Sequence, residues 1–463
     1  MGSEPTVAAL PLEALRQTVR SGTSRSLQWR LEQLQRLEQL LKTQQNRVVE
    51  ALASDLGKPE LEATLELVAV RQELRHTRRH LRRWMAPQPL AVAPYLLPAQ
   101  ARQVSEPLGC VLILSPWNYP LQLCLHPLVS ALAAGNTAVL KPSEHTPATA
   151  ALIAELIPET FASDVVQVVL GGGNTAAALL QHRFDHIFFT GGGRIAQLVM
   201  AAAAQHLTPV TLELGGKSPA IVLADAPLST TARRLIWGKG YNAGQTCVAP
   251  DYLLVERSHR QALIGALERE RTRLYGTEPL QSPDLGCIVN QTQFERLEGL
   301  LAQARARNQI VLGGGSDGAK RRIEPTVVAV ADGDDPLMHD ELFGPILPLI
   351  TIDSLNDAIA FINVRDKPLA LYLFSHDTEA QQAVLAGTSS GSVVFNDVII
   401  HAGDANLPFG GVGASGMGRY HGHEGFKTFS HLRTVLSRPF WGDLPQRYPP
   451  YARTLPVLRR LMG

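Results

Sequence analysis

The residues best equipped for covalent chemistry lie in one stretch, Gly240-Tyr241-Asn242-Ala243-Gly244-Gln245-Thr246-Cys247-Val248-Ala249-Pro250. A thiolate is a strong nucleophile, but free cysteine, with a pKa near ~8.5, is mostly protonated at neutral pH. Cys247 therefore needs a neighbouring base or well-placed backbone dipoles. Gly244 lets the backbone approach a substrate with no Cβ in the way. A single cysteine otherwise reads as a small buried hydrophobe. Its role depends on what the rest of the chain brings to it.

Several short constellations are suited to that task. Pro116-Trp117-Asn118-Tyr119-Pro120 offers an amide held between prolines, able to donate to a developing oxyanion; a turn asparagine is the plain alternative. Lys141-Pro142-Ser143-Glu144 offers a cation and a carboxylate for ribose hydroxyls, the carboxylate opposing a 2′-phosphate. Phe189-Thr190-Gly191-Gly192-Gly193-Arg194 is a glycine-rich turn opening a helix, where a pyrophosphate would sit or a tight turn would suffice. Leu212-Glu213-Leu214-Gly215-Gly216-Lys217 places one carboxylate inside an apolar strand. Desolvation would raise its pKa toward that of a general base, unless it pairs with Lys217. Asp340-Glu341-Leu342-Phe343 presents a carboxylate beside an aromatic face, and Pro408–Gly416 reads as a tightly packed glycine loop.

The elements that must position these groups alternate. Leucines at helical spacing predict an amphipathic helix over 26–56 and a second from Pro59 to about Trp84. The arginines of the second (Arg75, Arg78, Arg79, Arg82, Arg83) read as a solvated face. His76 and His80 stand four apart with no third ligand following, so we expect no metal. Past the proline-rich Pro87–Pro98, apolar runs at 110–115, 137–140, 165–170 and 186–190 alternate with helical patterns. That rhythm predicts a parallel, doubly wound α/β sheet binding ligands at the carboxyl ends of its strands. A second alternating series spans about 209–394.

The length of 463 residues implies about three domains or a two-lobed unit. A formal net charge of +1 argues against a nucleic-acid binder. Four cysteines without C-x-x-C spacing fit a reducing compartment better than a disulfide framework. Residues 1–15 do not read as a secretory signal. Met1–Thr6 formally fits a myristoylation pattern that we attribute to coincidence.

Taken in this order, the motifs resemble those of the aldehyde dehydrogenase superfamily over nearly the whole chain, and most of all its class 3 branch, which includes the fatty aldehyde dehydrogenases. The resemblance rests on Pro116–Pro120, Lys141–Glu144, Leu212–Pro219, Gly244–Pro250, Glu341–Pro345 and Pro408–Gly418, with Arg447-Tyr448-Pro449-Pro450 near the end. It implies Cys247 as nucleophile, Asn118 with the Cys247 N–H as oxyanion hole, and Glu213 as the base that activates water. Lys141 and Glu144 would hold the adenosine ribose, and Glu341 and Phe343 the nicotinamide ribose and ring. Trp117, Thr190, Gly191, Gly192, Ile195, Leu214 and Gly215 would complete the cofactor groove. The phosphate turn departs from the family's Phe-Thr-Gly-Ser pattern: Gly192 stands where the serine belongs, and Arg194 follows. That leaves NAD and NADP both open.

The resemblance further implies a Rossmann-type cofactor domain (1–85 and 106–208), an α/β catalytic domain (209–395) and a β-hairpin oligomerisation or bridging segment with the C-terminal tail (86–105 and 396–463), assembled as a homodimer. Tyr119, Trp237, Tyr241, Ile399, Ile400 and His401 flank the motifs and suit an apolar tail. We therefore expect oxidation of medium- or long-chain, aromatic or conjugated aldehydes by a cytoplasmic enzyme. The mixed apolar and cationic residues 451–462 are open to peripheral membrane contact or to packing on a neighbouring subunit. An acylating, coenzyme A-dependent dehydrogenase is the rival, opposed by Glu213; a silent relative is opposed by the intact Cys247, Glu213 and Asn118.

Overall fold

The runs Cys110–Leu114, Thr137–Lys141 and His186–Thr190 are buried along their whole length, as strands covered on both faces must be. The computed structural model describes residue 7 and residues 10–461; Met1–Thr6, with its lipidation-like pattern, and Met462 lie outside the described residues. Spatial order across the first sheet is Gly416–Met417, Val210–Glu213, His186–Thr190, Cys110–Leu114, Thr137–Lys141, Val166–Val168. All neighbours are parallel except the short outer pair, where Gly416 faces Glu213. From the strand Cys110–Leu114 the chain first builds outward on one side and then on the other. The reversal puts a crevice at the carboxyl ends. Asn118, Glu144 and Gly192 each follow the end of a strand at that edge, and Glu213 ends its own.

The second sheet runs Ile310–Leu312, Thr326–Ala329, Ile346–Ile352, Tyr252–Glu256, Pro219–Val222, Ala370–Phe374, Ser392–Phe395. Only its first pair is antiparallel. A third, antiparallel sheet joins Gln88–Leu90, Gln100–Pro107 and Ser430–Ser437. The largest apolar cluster contains residues of both large sheets, from Val111 and Phe188 to Leu253 and Tyr372.

Three differences from the sequence reading have physical causes. The helix expected over 26–56 is two, Leu27–Thr43 and Gln45–Leu56. Thr43 Oγ1 bonds the carbonyls of Gln39 and Leu40 at 3.1 Å each, competing with the helix's own pattern at the break. The boundary drawn at 208/209 falls one strand early, because Val210–Glu213 belongs to the first sheet. Nor is 396–463 one segment. Ile399, Ile400, residues 402–406 and Phe409 wall the cavity described below, the helix Gly422–Thr428 packs on the first lobe's Gln122–Ala134, and Ser430–Ser437 joins the third sheet.

The helix Pro147–Thr160 has no side-chain cap of its own. Its cap comes from Asp55 at the end of a distant helix, which accepts from Ala148 N at 3.0 Å, Thr149 N at 2.8 Å and Thr149 Oγ1 at 2.7 Å. Asp55→Ala should lower the unfolding free energy by about 1–3 kcal/mol, read as a lower urea midpoint. An unchanged midpoint would mean the cap contributes nothing.

Candidate active site

The cysteine loop owes its shape to three consecutive residues in the left-handed region: Asn242 at φ 50°, Ala243 at 51° and Gly244 at 72°. Asparagine and glycine tolerate this conformation; alanine is held there by its surroundings. At Gly244 a Cβ would lie 2.4 Å from the carbonyl oxygen of Gly344, so only glycine fits. Gln245, fully buried, cross-links the turn: its Nε2 donates to the carbonyls of Asn242 and Cys287, both at 3.0 Å, and its Oε1 accepts from Val289 N at 2.9 Å. Cys247 follows at the floor of a cavity, partly open to it and enclosed elsewhere. Burial, then the carboxyls of Glu341 and Glu213, push its thiol up, while the backbone N–H groups of Cys247 and Val248 pull it down.

Asn118 reaches this loop from the first sheet. Its Nδ2 donates to the Gln245 carbonyl at 3.0 Å, leaving a second N–H for another acceptor. Next to it, Tyr119 Oη lies 2.6 Å from Thr246 Oγ1. Residues far apart in sequence thus meet around the sulfur.

Glu213 ends its strand fully buried, and among the described residues neither of its carboxyl oxygens has a hydrogen-bond partner. Desolvation raises its pKa well above the usual carboxylate range. The alternative pairing with Lys217 is overturned: Lys217 Nζ bonds Asp251 Oδ2 at 2.6 Å and the carbonyls of Leu337 and Asp340. Asp251 also accepts from Leu342 N at 3.2 Å, so this ion pair fastens the loop carrying Glu341 and Phe343.

That loop brings an aromatic ring and a carboxyl to the strand ends. Phe343 meets Trp117 edge-on at 5.2 Å. The Glu341 carboxyl lies against Gly215, where a Cβ would come within 2.3 Å of it, and burial first, then Asp251, pushes Glu341 up to about 8. Leu214 N donates to Ser415 O at 3.2 Å, so the glycine loop braces the strand of Glu213. At the other end Lys141 Nζ bonds Glu144 Oε2 at 3.3 Å. Between them, among the described residues, Gly192 and Gly193 face open space, Thr190 Oγ1 is buried without a partner, and the helix Gly193–Ala204 starts with no side-chain cap. Free N–H groups at such a helix start, with the Cβ atoms missing, make a cradle for an anion. Ile195 and Arg194 are exposed on its first turn.

The cavity above Cys247 measures about 670 Å³ and its lining includes Tyr119, Trp237, Tyr241, Ile399 and Ile400. His401 is not among its lining residues. Its Nε2 is 2.8 Å from Ser392 Oγ and its ring meets Tyr372 and Phe409, so the pocket expectation for His401 is corrected. The sequence reading missed one wall, formed by Leu65, Val68, Ala69 and Gln72 of the helix Glu60–Met85. It also missed Phe409 and Tyr420, which come from beyond the second sheet. The spacing 65, 68, 69, 72 is one helical face and was the available signal.

The aldehyde dehydrogenase family model matches residues 12–435. Aldehyde dehydrogenase family 3 member B1 of Rattus norvegicus is 48% identical over 453 residues, 96% of this chain and 96% of that protein. Family 3 member H1 of Arabidopsis thaliana is 43% identical over 441 residues, covering 95% and 91% respectively. The substrate-bound structure of Staphylococcus aureus AldH superposes with a TM-score of 0.94 at 41% identity, covering 97% of this chain and 98% of that one. The AldA indole-3-acetaldehyde dehydrogenase of P. syringae, a mutant in complex with NAD+ and IAA, gives a TM-score of 0.85 at 28% identity over 94% and 90%. With a family match spanning most of its length and relatives near half identity from end to end, the chain belongs to the aldehyde dehydrogenase family of oxidoreductases.

Proposed function

We propose that the chain oxidises apolar aldehydes to carboxylic acids, with NAD or NADP as hydride acceptor. The observation that carries this reading is a thiol at the floor of an apolar cavity, with an unpaired carboxyl near it and an amide fixed to its loop. The open turn at Gly192–Gly193 and the Lys141–Glu144 pair fit a dinucleotide's pyrophosphate and adenosine ribose. Glu341 and Phe343 fit its second ribose and ring, and a relative's structure contains NAD+. Glu144 opposes a 2′-phosphate, whereas Arg194 on the same rim would attract one.

The Cys247 thiol gives its proton to solvent reaching the cavity, and the thiolate Sγ adds to the aldehyde carbon. The oxyanion so formed accepts from the free Asn118 N–H and the Cys247 backbone N–H. When bound, the oxidised nicotinamide supplies the acceptor for the hydride that leaves this carbon. What stays on Cys247 is a thioester. Glu213 takes a proton from a water that attacks the thioester carbonyl, and collapse expels the thiolate and frees the acid. A carboxyl held above its usual range is well matched to this step.

The third sheet exposes Leu436 at 52%, and Tyr95 and Leu97, at 72% and 56%, stand exposed in the connection between its first two strands; we read this face as a homodimer interface. Among the described residues no helix is long and apolar enough to cross a membrane. The helix Leu455–Leu461 accommodates Pro456 in its first turn and exposes Leu455 and Leu458 alongside Arg459 and Arg460. That composition suits peripheral contact with an anionic membrane.

Asn118→Ala should slow turnover by about 10²–10³. Glu213→Gln should keep the pre-steady-state hydride burst while steady turnover falls. In the wild type turnover should climb with pH, because Glu213 and Cys247, both raised, gain their reactive charged forms only as pH rises through those pKa values; Glu213→Gln should lose the deacylation part of that rise. Loss of the burst, with no acyl-enzyme accumulating, would remove Glu213 from this role. In a series of linear aldehydes, kcat/KM should rise roughly fourfold per methylene until the cavity fills, and a flat series would overturn the apolar substrate class. Deleting residues 451–463 should abolish co-sedimentation with anionic liposomes and leave a dimer by analytical ultracentrifugation. Unchanged co-sedimentation would remove the membrane reading, and a monomer would place the tail at the subunit interface.

A further inference from the structure

The loop carrying Asn118 and the loop carrying Cys247 come from different sheets, yet both rest on three charged residues at the junction of the helices Gln45–Leu56 and Glu60–Met85. Lys58 is buried, and all of its donors are engaged. Its Nζ pairs with Glu66, donates to the carbonyl of Asn118 at 2.9 Å and lies 4.1 Å from the ring centroid of Tyr119. The other Glu66 oxygen accepts from Gln122 N at 3.1 Å, at the start of the helix that follows the Asn118 loop. One turn before Glu66, Glu62 Oε2 accepts from Asn242 N at 2.8 Å, at the first of the three left-handed residues. Asn242 Nδ2 closes the circuit by donating to the Asn118 carbonyl at 2.9 Å and the Gln245 carbonyl at 3.1 Å.

We propose that Lys58, Glu62 and Glu66 are positioning residues. Through Asn118 and Asn242 they set the angle at which the Asn118 amide and the Cys247 sulfur meet a carbonyl group. The inference rests on the roles read for Asn118 and Cys247 above. A buried ion pair is a poor source of net stability, because desolvation offsets its attraction. Its worth lies in direction: Lys58, Glu62 and Glu66 each also bond a backbone atom in or beside a loop that must not drift, at Asn118, Asn242 and Gln122 respectively. A displacement of about 1 Å can cost about 10²-fold in rate.

Glu62 offers the cleanest test, because glutamine keeps an oxygen able to accept from Asn242 N whereas leucine does not. Burial, opposed by the Asn242 N–H and Lys58, pushes Glu62 up to about 7, so the neutral glutamine mimics a form the wild type already populates. The full-length enzyme with NAD+ and a saturating apolar aldehyde is followed by stopped flow, with cofactor Kd measured by fluorescence. Glu62→Leu should slow the burst about ten- to hundredfold while Kd stays within about threefold, and Glu62→Gln should restore the rate. Lys58→Met combined with Glu66→Gln, which removes both charges of the buried ion pair together, should slow the burst similarly. A smaller burst amplitude at unchanged rate, or a glutamine variant no better than leucine, would overturn the proposal. Asn118→Ala run in parallel separates the two levels. A wild-type burst there overturns the reading of the site itself, whereas a slow burst beside unaffected Glu62 variants overturns only the positioning role.

Discussion

A carboxyl group taken out of water with nothing to pair with is among the more expensive things a protein can hold, costing several kcal/mol unless it stays protonated. Glu213 is such a group, and much of the first sheet is arranged around keeping it there. Its strand is flanked by His186–Thr190 on one side and by the short Gly416–Met417 pairing on the other. At Gly416, with φ 151°, a Cβ would come within 2.5 Å of the Leu212 carbonyl. The glycines of that late loop let backbone close over the end of the strand where side chains would have forced it away. The carboxyl is left buried beside the thiol, its pKa raised by desolvation.

On the proposed reading the sulfur poses the complementary problem: a nucleophile must be reachable, so it cannot be packed on every side. The structure meets this by fixing the chain immediately before it and leaving the atom open to the cavity. Gln245 is tied on three sides, and its own carbonyl accepts from two asparagines. Acidic groups nearby oppose thiolate formation, while the N–H groups of Cys247 and Val248 favour it. The balance makes charge on the sulfur costly until a reacting carbonyl can take it up.

Motifs at strand ends were legible in the sequence because a buried parallel strand is an apolar run and its ligand loop begins where the run stops. Asn118, Lys141 and the Gly191–Gly193 turn were found on that basis, Glu213 as a carboxylate inside an apolar strand, and the strand His186–Thr190 has the bounds expected for it. The break at Gln44 was not legible, since the apolar spacing resumes at Val48 and runs on through Leu52 and Leu56. His401 was misassigned because in the short 3-10 turn Ile400–Gly403 successive side chains point different ways, so proximity to Ile400 does not bring the ring into the cavity. The inward carboxylates Glu62 and Glu66 were passed over although they lie on the same face as Val70 and Glu73. Charge on a helix is ordinarily solvated, and only the third dimension reveals what these two meet.

The first lobe is not finished by the first half of the chain. Asn136 Nδ2 donates to the Phe429 carbonyl at 2.8 Å, the helix Gly422–Thr428 lies against Gln122–Ala134, and Gly416–Met417 supplies the outer edge beside Glu213. As the polypeptide leaves the ribosome, the sheet that carries four of the motif loops waits with one flank bare until some two hundred further residues have been made. Biogenesis of this enzyme thus has a built-in lag, during which an exposed apolar edge must be shielded by chaperones or by transient collapse.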